Sequence, residues 1–393
     1  MKLKENDNVP EIRFDSFKEE WDKKRFKDFT KLSQGLQIAI SSRFLEDGEH
    51  RYFYITNEFL NPNSTKKYYI ESPSENVICT VDDILMTRTG NTGKVITNIS
   101  GAFHNNFFKV DYDKFETSKM FLYYLLTSND IQKEIIIRAG NSTIPDLNHS
   151  DFYSIKTSVP ALDEQTAIGA LFRTLDDLLA RYKDNLTNYQ SLKATMLSKM
   201  FPKDGQTVPE IRLDGFEEEW GKDTLEPYLT ESRISGDTGL TAKKITVKLW
   251  GKGVIEKEEK YAGSSNTQYF IRKGGQFIYS KLDFQNQAFG IIPNELNGYQ
   301  STLDLPTFDI QNIDSKFLLE YVMRREFYEY QGLIANGSRK AKRIHPEDFL
   351  VMPVRIPSIE EQQAIGAYFS NLDNLINSHQ EKISQLEILK KKL

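Results

Sequence analysis

The sequence predicts an α/β protein built twice: two α/β blocks separated by two long antiparallel coiled-coil helices, arranged as a pseudo-two-fold internal repeat. Three observations predict it. Pro160-Ala-Leu-Asp-Glu-Gln-Thr-Ala-Ile-Gly-Ala-Leu-Phe returns 197 residues later as Pro357-Ser-Ile-Glu-Glu-Gln-Gln-Ala-Ile-Gly-Ala-Tyr-Phe. Val9-Pro-Glu-Ile-Arg-Phe-Asp-Ser-Phe-Lys-Glu-Glu-Trp21 returns as Val208-Pro-Glu-Ile-Arg-Leu-Asp-Gly-Phe-Glu-Glu-Glu-Trp220. Between these landmarks lie two stretches rich in strand-forming residues and turn signals.

The helices come first because they frame everything else. Ile168, Leu171, Leu175, Leu178, Tyr182, Asn185, Tyr189, Leu192 and Met196 step by three and four without a break, the spacing of a coiled-coil seam. Helix pairing is assigned to Ile168, Leu171, Leu175, Leu178 and Tyr182 in the first copy and to Ile365, Leu372, Leu375 and His379 in the second. A rod from Asp163 to Met200 is roughly 57 Å long at 1.5 Å per residue. A single core does not need such a rod, and its simplest burial is against its twin. Pro202 and Gly205 end the first copy, and Ser358 with Glu361 opens the second with capping-box spacing.

Each Val-Pro-Glu-Ile-Arg segment reads as a short extended piece whose Ile, Phe and Trp anchor it, either as a lid on the local core or as a docking segment. The boundaries that follow are 1–21 for the first anchoring segment, 22–159 for the first block, and 160–207 for the first helix and linker. Residues 208–356 hold the second block with its segment, and 357–393 the second helix. In the first block, Tyr52-Phe-Tyr-Ile and Asn76-Val-Ile-Cys-Thr-Val read as strands and Ser118–Arg138 as a helix. Ser315-Lys-Phe-Leu-Leu-Glu-Tyr repeats Ser118-Lys-Met-Phe-Leu-Tyr-Tyr, and Asp348-Phe349 repeats Asp151-Phe152, while the interiors diverge. A preserved frame with a divergent interior suits two blocks mounted alike that read different things.

With 39% hydrophobic residues over 393 positions, two or three domains can bury real cores. The single cysteine, Cys79, allows neither a disulfide within the chain nor a cysteine zinc cage, and the five histidines lack metal-ligand spacing. No apolar run has the length of a signal peptide or a membrane span, so a cytoplasmic location without membrane contact is expected. A net charge of −5 looks wrong for a nucleic-acid binder. The acidic excess, however, sits in the short segments 1–21 and 208–220, and the blocks are neutral to slightly basic, which permits DNA binding.

Catalytic chemistry is missing. Gly90-Asn-Thr-Gly-Lys lacks the glycine spacing of a phosphate-binding loop, no dinucleotide fingerprint or adenine-methylating motif occurs, and Asp82-Asp83 and Asp176-Asp177 are adjacent carboxylates that point apart. No catalytic residue, metal or cofactor is assigned. The candidates are polar and basic loop residues: lysine and backbone amides hold phosphates, arginine reads guanine and asparagine reads adenine. In the first block they are Lys66, Lys67, Arg88, Thr89, Asn91, Lys94, Asn141 and Ser142. In the second they are Lys243, Lys244, Lys248, Lys281, Arg339, Lys340, Lys342 and Arg343, with Trp250 and Lys252 in the same basic stretch.

The order of variable block, Pro-x-x-x-Glu-Gln-x-Ala-Ile-Gly helix, Met-Phe-Pro linker, Val-Pro-Glu-Ile-Arg segment, second block and second helix resembles the specificity subunit of type I restriction–modification systems over essentially the whole chain. The resemblance implies that each block is a target recognition domain reading one half of a split, asymmetric double-stranded DNA sequence, and that the helices dock two methyltransferase subunits. Restriction subunits then join through the methyltransferases. S-adenosylmethionine and ATP are expected only on those partners, and this chain is expected to be non-catalytic. The second helix departs from the pattern by stopping at Lys390-Lys-Lys-Leu. Two readings from other classes remain: a free-standing bipartite DNA-binding regulator, and a coiled-coil adaptor.

Overall fold

The computed structural model describes residues 10–140, 145–258, 263–333 and 343–393. They form two compact units, one of residues 1–181 with 383–393 and one of 182–382, so that both long helices are divided between them.

The first unit contains β1 (Asp22–Arg25), α1 (Phe26–Phe29), β2 (Thr30–Gln34), β3 (Arg51–Ile55), β4 (Tyr69–Glu71), β5 (Ile78–Cys79), β6 (Ile84–Thr87), β7 (Val95–Thr97), β8 (Gly101–Phe103) and β9 (Phe107–Tyr112). Then come α2 (Lys119–Thr127), α3 (Asn129–Ala139), α4 (His149–Ser154), β10 (Lys156–Val159) and the start of α5 (Leu162–Lys199). One antiparallel sheet has the order β2-β9-β6-β7, and a second, β4-β3-β8-β5, contains the parallel pair β3-β8. β1 pairs with β10 from Asp22 opposite Val159 onward, so the block leaves and returns to the chain at one place.

In the second unit follow β11 (Gly221–Thr224), β12 (Leu229–Glu231), β13 (Ile234–Thr238), β14 (Ile245–Val247), β15 (Val254–Glu256), β16 (Gln268–Ile271), β17 (Phe277–Tyr279), β18 (Phe289–Ile291), β19 (Gln300–Ser301) and β20 (Thr307–Ile310). α6 (Ser315–Met323), α7 (Arg325–Gly332), α8 (Pro346–Leu350), β21 (Pro353–Ile356) and α9 (Ile359–Lys392) complete it. The sheet β12-β20-β17-β18 repeats the first unit's main sheet strand for strand, and β11-β21 repeats the β1-β10 clip. The remaining strands do not correspond: here they form β13-β16-β19 and the hairpin β14-β15.

The repeated motifs hold each block to its own helix. Arg13 grips Glu164 with both Nε and Nη2 at 2.7 Å, and Arg212 grips Glu361 at 2.9 and 2.7 Å. Each glutamate is buried, and this planar two-point pairing is the strong form of the arginine–carboxylate bond. Trp21 packs edge-on against Phe121, and Trp220 packs against Phe201 and Phe317. The tryptophans anchor both segments as expected, but in the first copy Ile12 is 48% and Phe14 36% exposed, so there the Arg13 salt bridge, which the sequence did not announce, does the work expected of the isoleucine; Ile211 packs against the second core. Gln165 Oε1 accepts from Ser118 N and Gln362 Oε1 from Asp314 N, tying each helix to the residue before α2 or α6. The glycine of Ala-Ile-Gly permits that approach. A Cβ on Gly169 would lie 2.8 Å from Phe121 N, and one on Gly366 would lie 2.6 Å from Asp314 Oδ1.

Three expectations need correction. The helix expected over Ser118–Arg138 is broken at Ser128, whose extended backbone ends α2 and starts α3. The seam lies one residue further on at alternate positions. Leu179 turns inward in place of Leu178, and Ile376 in place of Leu375, Leu178 being 36% and Leu375 41% exposed; Leu171 and Phe172 are both half-buried, and Phe172 packs on Tyr124. Apolar residues occupy both neighbouring positions, so periodicity alone allowed either phase. The capping box is half formed: Ser358 Oγ accepts from Glu361 N at 3.3 Å, but the Glu361 carboxylate belongs to Arg212.

Within the second unit the helices are antiparallel. The Tyr182 and Tyr189 rings meet that of His379, and Lys193 Nζ lies 2.7 Å from Asp373 Oδ2, so numbers rise along one helix as they fall along the other. Within the first, Asp176 accepts from the Tyr124 hydroxyl at 2.8 Å and pairs with Lys390. These last two residues are the repeat equivalents of Asp373 and Lys193. Ile168 is buried against Trp21, Phe121 and Val159, and Ile365, Leu372 and Phe369 join the aromatic core of the second unit, so the seam also roots each block. No helix among the described residues is long and apolar enough to cross a membrane.

Candidate nucleic-acid interface

In the first unit the end of the main sheet brings together Arg88, Thr89, Asn91 and Lys94. β6 and β7 are joined by residues 88–94, whose left-handed Gly90 and Gly93 let the chain double back, and Gly93 N donates to Thr87 O at 2.8 Å. The loop rests on two neighbours. Arg88 N donates to Asn106 O, and Leu147 N donates to Arg88 O, while Thr92 Oγ1 donates to Pro145 O at 2.7 Å. Arg88 is therefore positioned by its own backbone between the β8-β9 turn and the segment leading into α4. Its guanidinium makes a two-point pair with Asp146 at 3.0 and 2.6 Å and lies over Phe108. His149 stands on the same ring, and burial, then the charge of Arg88, lowers its pKa.

Thr89, Asn91 and Lys94 share this loop, with Asn91 and Lys94 exposed. Asn57 Nδ2 reaches Thr89 O at 3.2 Å. Asn57, Asn106 and His149 belong to the cluster and were missed, because nothing in their local sequence separates them from ordinary turn residues. Lys66 and Lys67 are exposed in the loop before β4. Asn141 and Ser142 lie outside the described residues.

The second unit builds the same junction from other residues. Lys281 follows β17 as Arg88 follows β6: Lys281 N donates to Asp304 O at 3.0 Å, and Lys281 O accepts from Ile344 N at 3.1 Å. Arg343 then stands where the first unit has Asp146, with its Nε 3.7 Å from Asp304 Oδ1. The arginine–aspartate pair of one unit is replaced by a lysine, an arginine and an aspartate. Arg339, Lys340 and Lys342 lie outside the described residues.

Lys243 Nζ sits 5.9 Å from the Tyr299 ring centre, and its side chain is exposed. Lys244 is a correction. It is buried, with Nζ donating to Gly239 O at 2.5 Å and lying over Tyr269, so it braces the fold instead of facing solvent. A paired lysine run hides this, because alternate residues of an extended chain face opposite ways. Lys248 and Lys252 are exposed in the turn between β14 and β15. Among the described residues no group of three or more His, Cys, Asp and Glu could hold a metal.

The pattern of the family described as "Type I restriction modification DNA specificity domain" matches residues 18–188 and 235–388. The chain belongs to this family. As a type I specificity chain it is similar to the type I restriction enzyme MjaVIII specificity subunit of Methanocaldococcus jannaschii, at 22% identity over all of this chain and 95% of that one. Its fold is similar to the crystal structure of a type I restriction–modification system S subunit from M. genitalium, with a TM-score of 0.59 and 16% identity, covering 100% of this chain and 97% of that one. The first matched stretch contains a whole main sheet and the second contains three of the four strands of the other, β17, β18 and β20; each takes in most of the helix that carries the Glu-Gln-x-Ala-Ile-Gly motif.

Proposed function

We propose that this chain is the non-catalytic DNA-recognition subunit of a type I restriction–modification enzyme, each block reading one half of a bipartite, asymmetric target and the helices docking methyltransferase subunits. Restriction subunits join through the methyltransferases, which also carry the S-adenosylmethionine; ATP belongs to the restriction subunits. The observation that carries the reading is the junction at the end of each main sheet. The same backbone frame presents Arg88 and Asp146 in one unit and Lys281 and Arg343 in the other. Two readers of different half-sites need a common mount and different side chains at its tip, because sequence is read by hydrogen bonds to base edges while backbone contacts set the register.

The docking surface for the methyltransferase is assigned to exposed positions on the helices. The motif residues Glu164, Gln165, Glu361 and Gln362 are buried within their own units. Methylome sequencing of the host with and without this gene tests the proposal. Loss of one methylated, two-part motif is expected, together with copurification of a methyltransferase. A chain that binds DNA with no methyltransferase and leaves the methylome unchanged would instead be the free-standing regulator.

A further inference from the structure

The chain has three tryptophans. Trp21 and Trp220 are buried beside the helices, but Trp250 is 57% exposed at the tip of the β14-β15 hairpin. Its backbone is left-handed, φ 61°, and so is that of Gly251, φ 64°. Tight hairpin turns with two left-handed residues favour Asn-Gly, and a bulky side chain at the first position is strained. The strain is held in place: Trp250 N donates to Asn286 O at 2.8 Å and Gly251 N to Gln287 O at 3.0 Å, both on the β17-β18 loop that carries Lys281. A Cβ on Gly251 would collide with the Met323 side chain, so the tip is also packed against α6.

The surroundings select the ligand. Lys248 and Lys252 flank the indole, no acidic residue occurs from Lys243 to Ile255, and Leu249 and Leu282 are also exposed, 38% and 45%. Asp283, on the neighbouring loop, is engaged by Asn286 Nδ2 and the Ser280 hydroxyl. An exposed aromatic ring on a held backbone, with a cationic rim, suits a polyanion with stacked planar groups.

We infer that Trp250 is a DNA wedge: its indole enters a base step of the half-site read by the second unit, and Lys248 and Lys252 hold the flanking phosphates. This rests on the proposed function. The test uses the chain with its copurifying methyltransferase and a duplex bearing the motif mapped by methylome sequencing, with an unrelated duplex beside it. Wild type, Trp250→Asn and Trp250→Phe are compared for unfolding midpoint, affinity and DNA-induced fluorescence quenching; the difference between wild type and Trp250→Asn isolates the signal of Trp250.

Trp250→Asn should unfold no earlier than wild type, lose the quenching difference and bind the mapped duplex at least roughly fivefold more weakly, the lower end of what one base–aromatic stack contributes. Trp250→Phe should keep most of the affinity. Selective wild-type binding with no quenching difference, or Trp250→Asn binding as tightly as wild type, overturns the wedge and leaves the proposed function standing. A complex that holds both duplexes alike removes the proposed function, and the wedge with it.

Discussion

Tyr182 and His379 occupy equivalent positions of the two helix copies, and their rings meet edge to face with centroids 5.3 Å apart. Residues related by the repeat come together only where an antiparallel pair is centred, so this contact fixes the register of the two helices. Lys193 with Asp373, within one unit, and Lys390 with Asp176, within the other, are the same ion pair made twice.

That register allows a test of whether the helices set the spacing of the target. Seven residues inserted after Leu178 and seven after Leu375 keep both seams in phase and lengthen each helix by roughly 10 Å. If the proposed function holds, methylation mapping should find unaltered half-sites with a spacer longer by up to about three base pairs. An active complex with the original spacer would show that something else sets the distance.

Gly366 lets α9 approach the cap of α6, where Asp314 accepts from Lys316 N and Phe317 N. Gly366→Ala puts a methyl group 2.6 Å from Asp314 Oδ1 and 3.2 Å from Phe317 N. It should destabilise the second unit by about 1–3 kcal/mol in urea unfolding, despite alanine's better helix propensity. A stabilised variant would mean that the close approach does not matter.

Removing Arg212 leaves the Glu361 carboxylate buried without its two-point partner. Arg212→Ala should cost about 3 kcal/mol, and adding Glu361→Leu should restore a good part of it, because the stranded charge and not the missing contact is the larger cost. Equal stability of the single and double variants would contradict this account.

Stability should also fall in mild acid. Burial, then the charge of Arg43, lowers the pKa of His104, and His149 is lowered by burial and Arg88. The unfolded chain takes up these protons first, so stability is complete above the ordinary histidine value of about 6.5 and is lost as pH falls through the lower folded values. Denaturant midpoints from pH 8 to pH 5 should show the loss, and His104→Gln should flatten it. An unchanged slope in the variant would assign the acid sensitivity elsewhere.

The frame of the molecule was readable because it is written twice: each repeated Pro, Glu, Gln and Gly does the same job in two places. The seam was readable only to within one residue, since Leu178-Leu179 and Leu375-Ile376 offer apolar side chains in both phases and packing alone chooses. The Arg13 and Arg212 clamps were not readable, because their glutamates lie far along the chain. At the candidate interface, charge located the neighbourhood but not the orientation. Lys244 turns inward while Lys243 does not, Arg88 is tied to Asp146, and Asn57 joins through a contact its own sequence does not signal.

The strand clips carry a further consequence. Because Asp22 faces Val159 and Gly221 faces Ile356, each block is an excursion that ends where it began. Whatever lies between those fixed ends can be lengthened, shortened or rewritten without moving the points where the chain enters and leaves. The unlike second sheets, β4-β3-β8-β5 in one block and β13-β16-β19 in the other, are two such rewritings behind one unchanged gate. If the proposed function holds, new specificity can therefore arise by trial inside the loop of an excursion, with the assembly outside it never having to be reinvented.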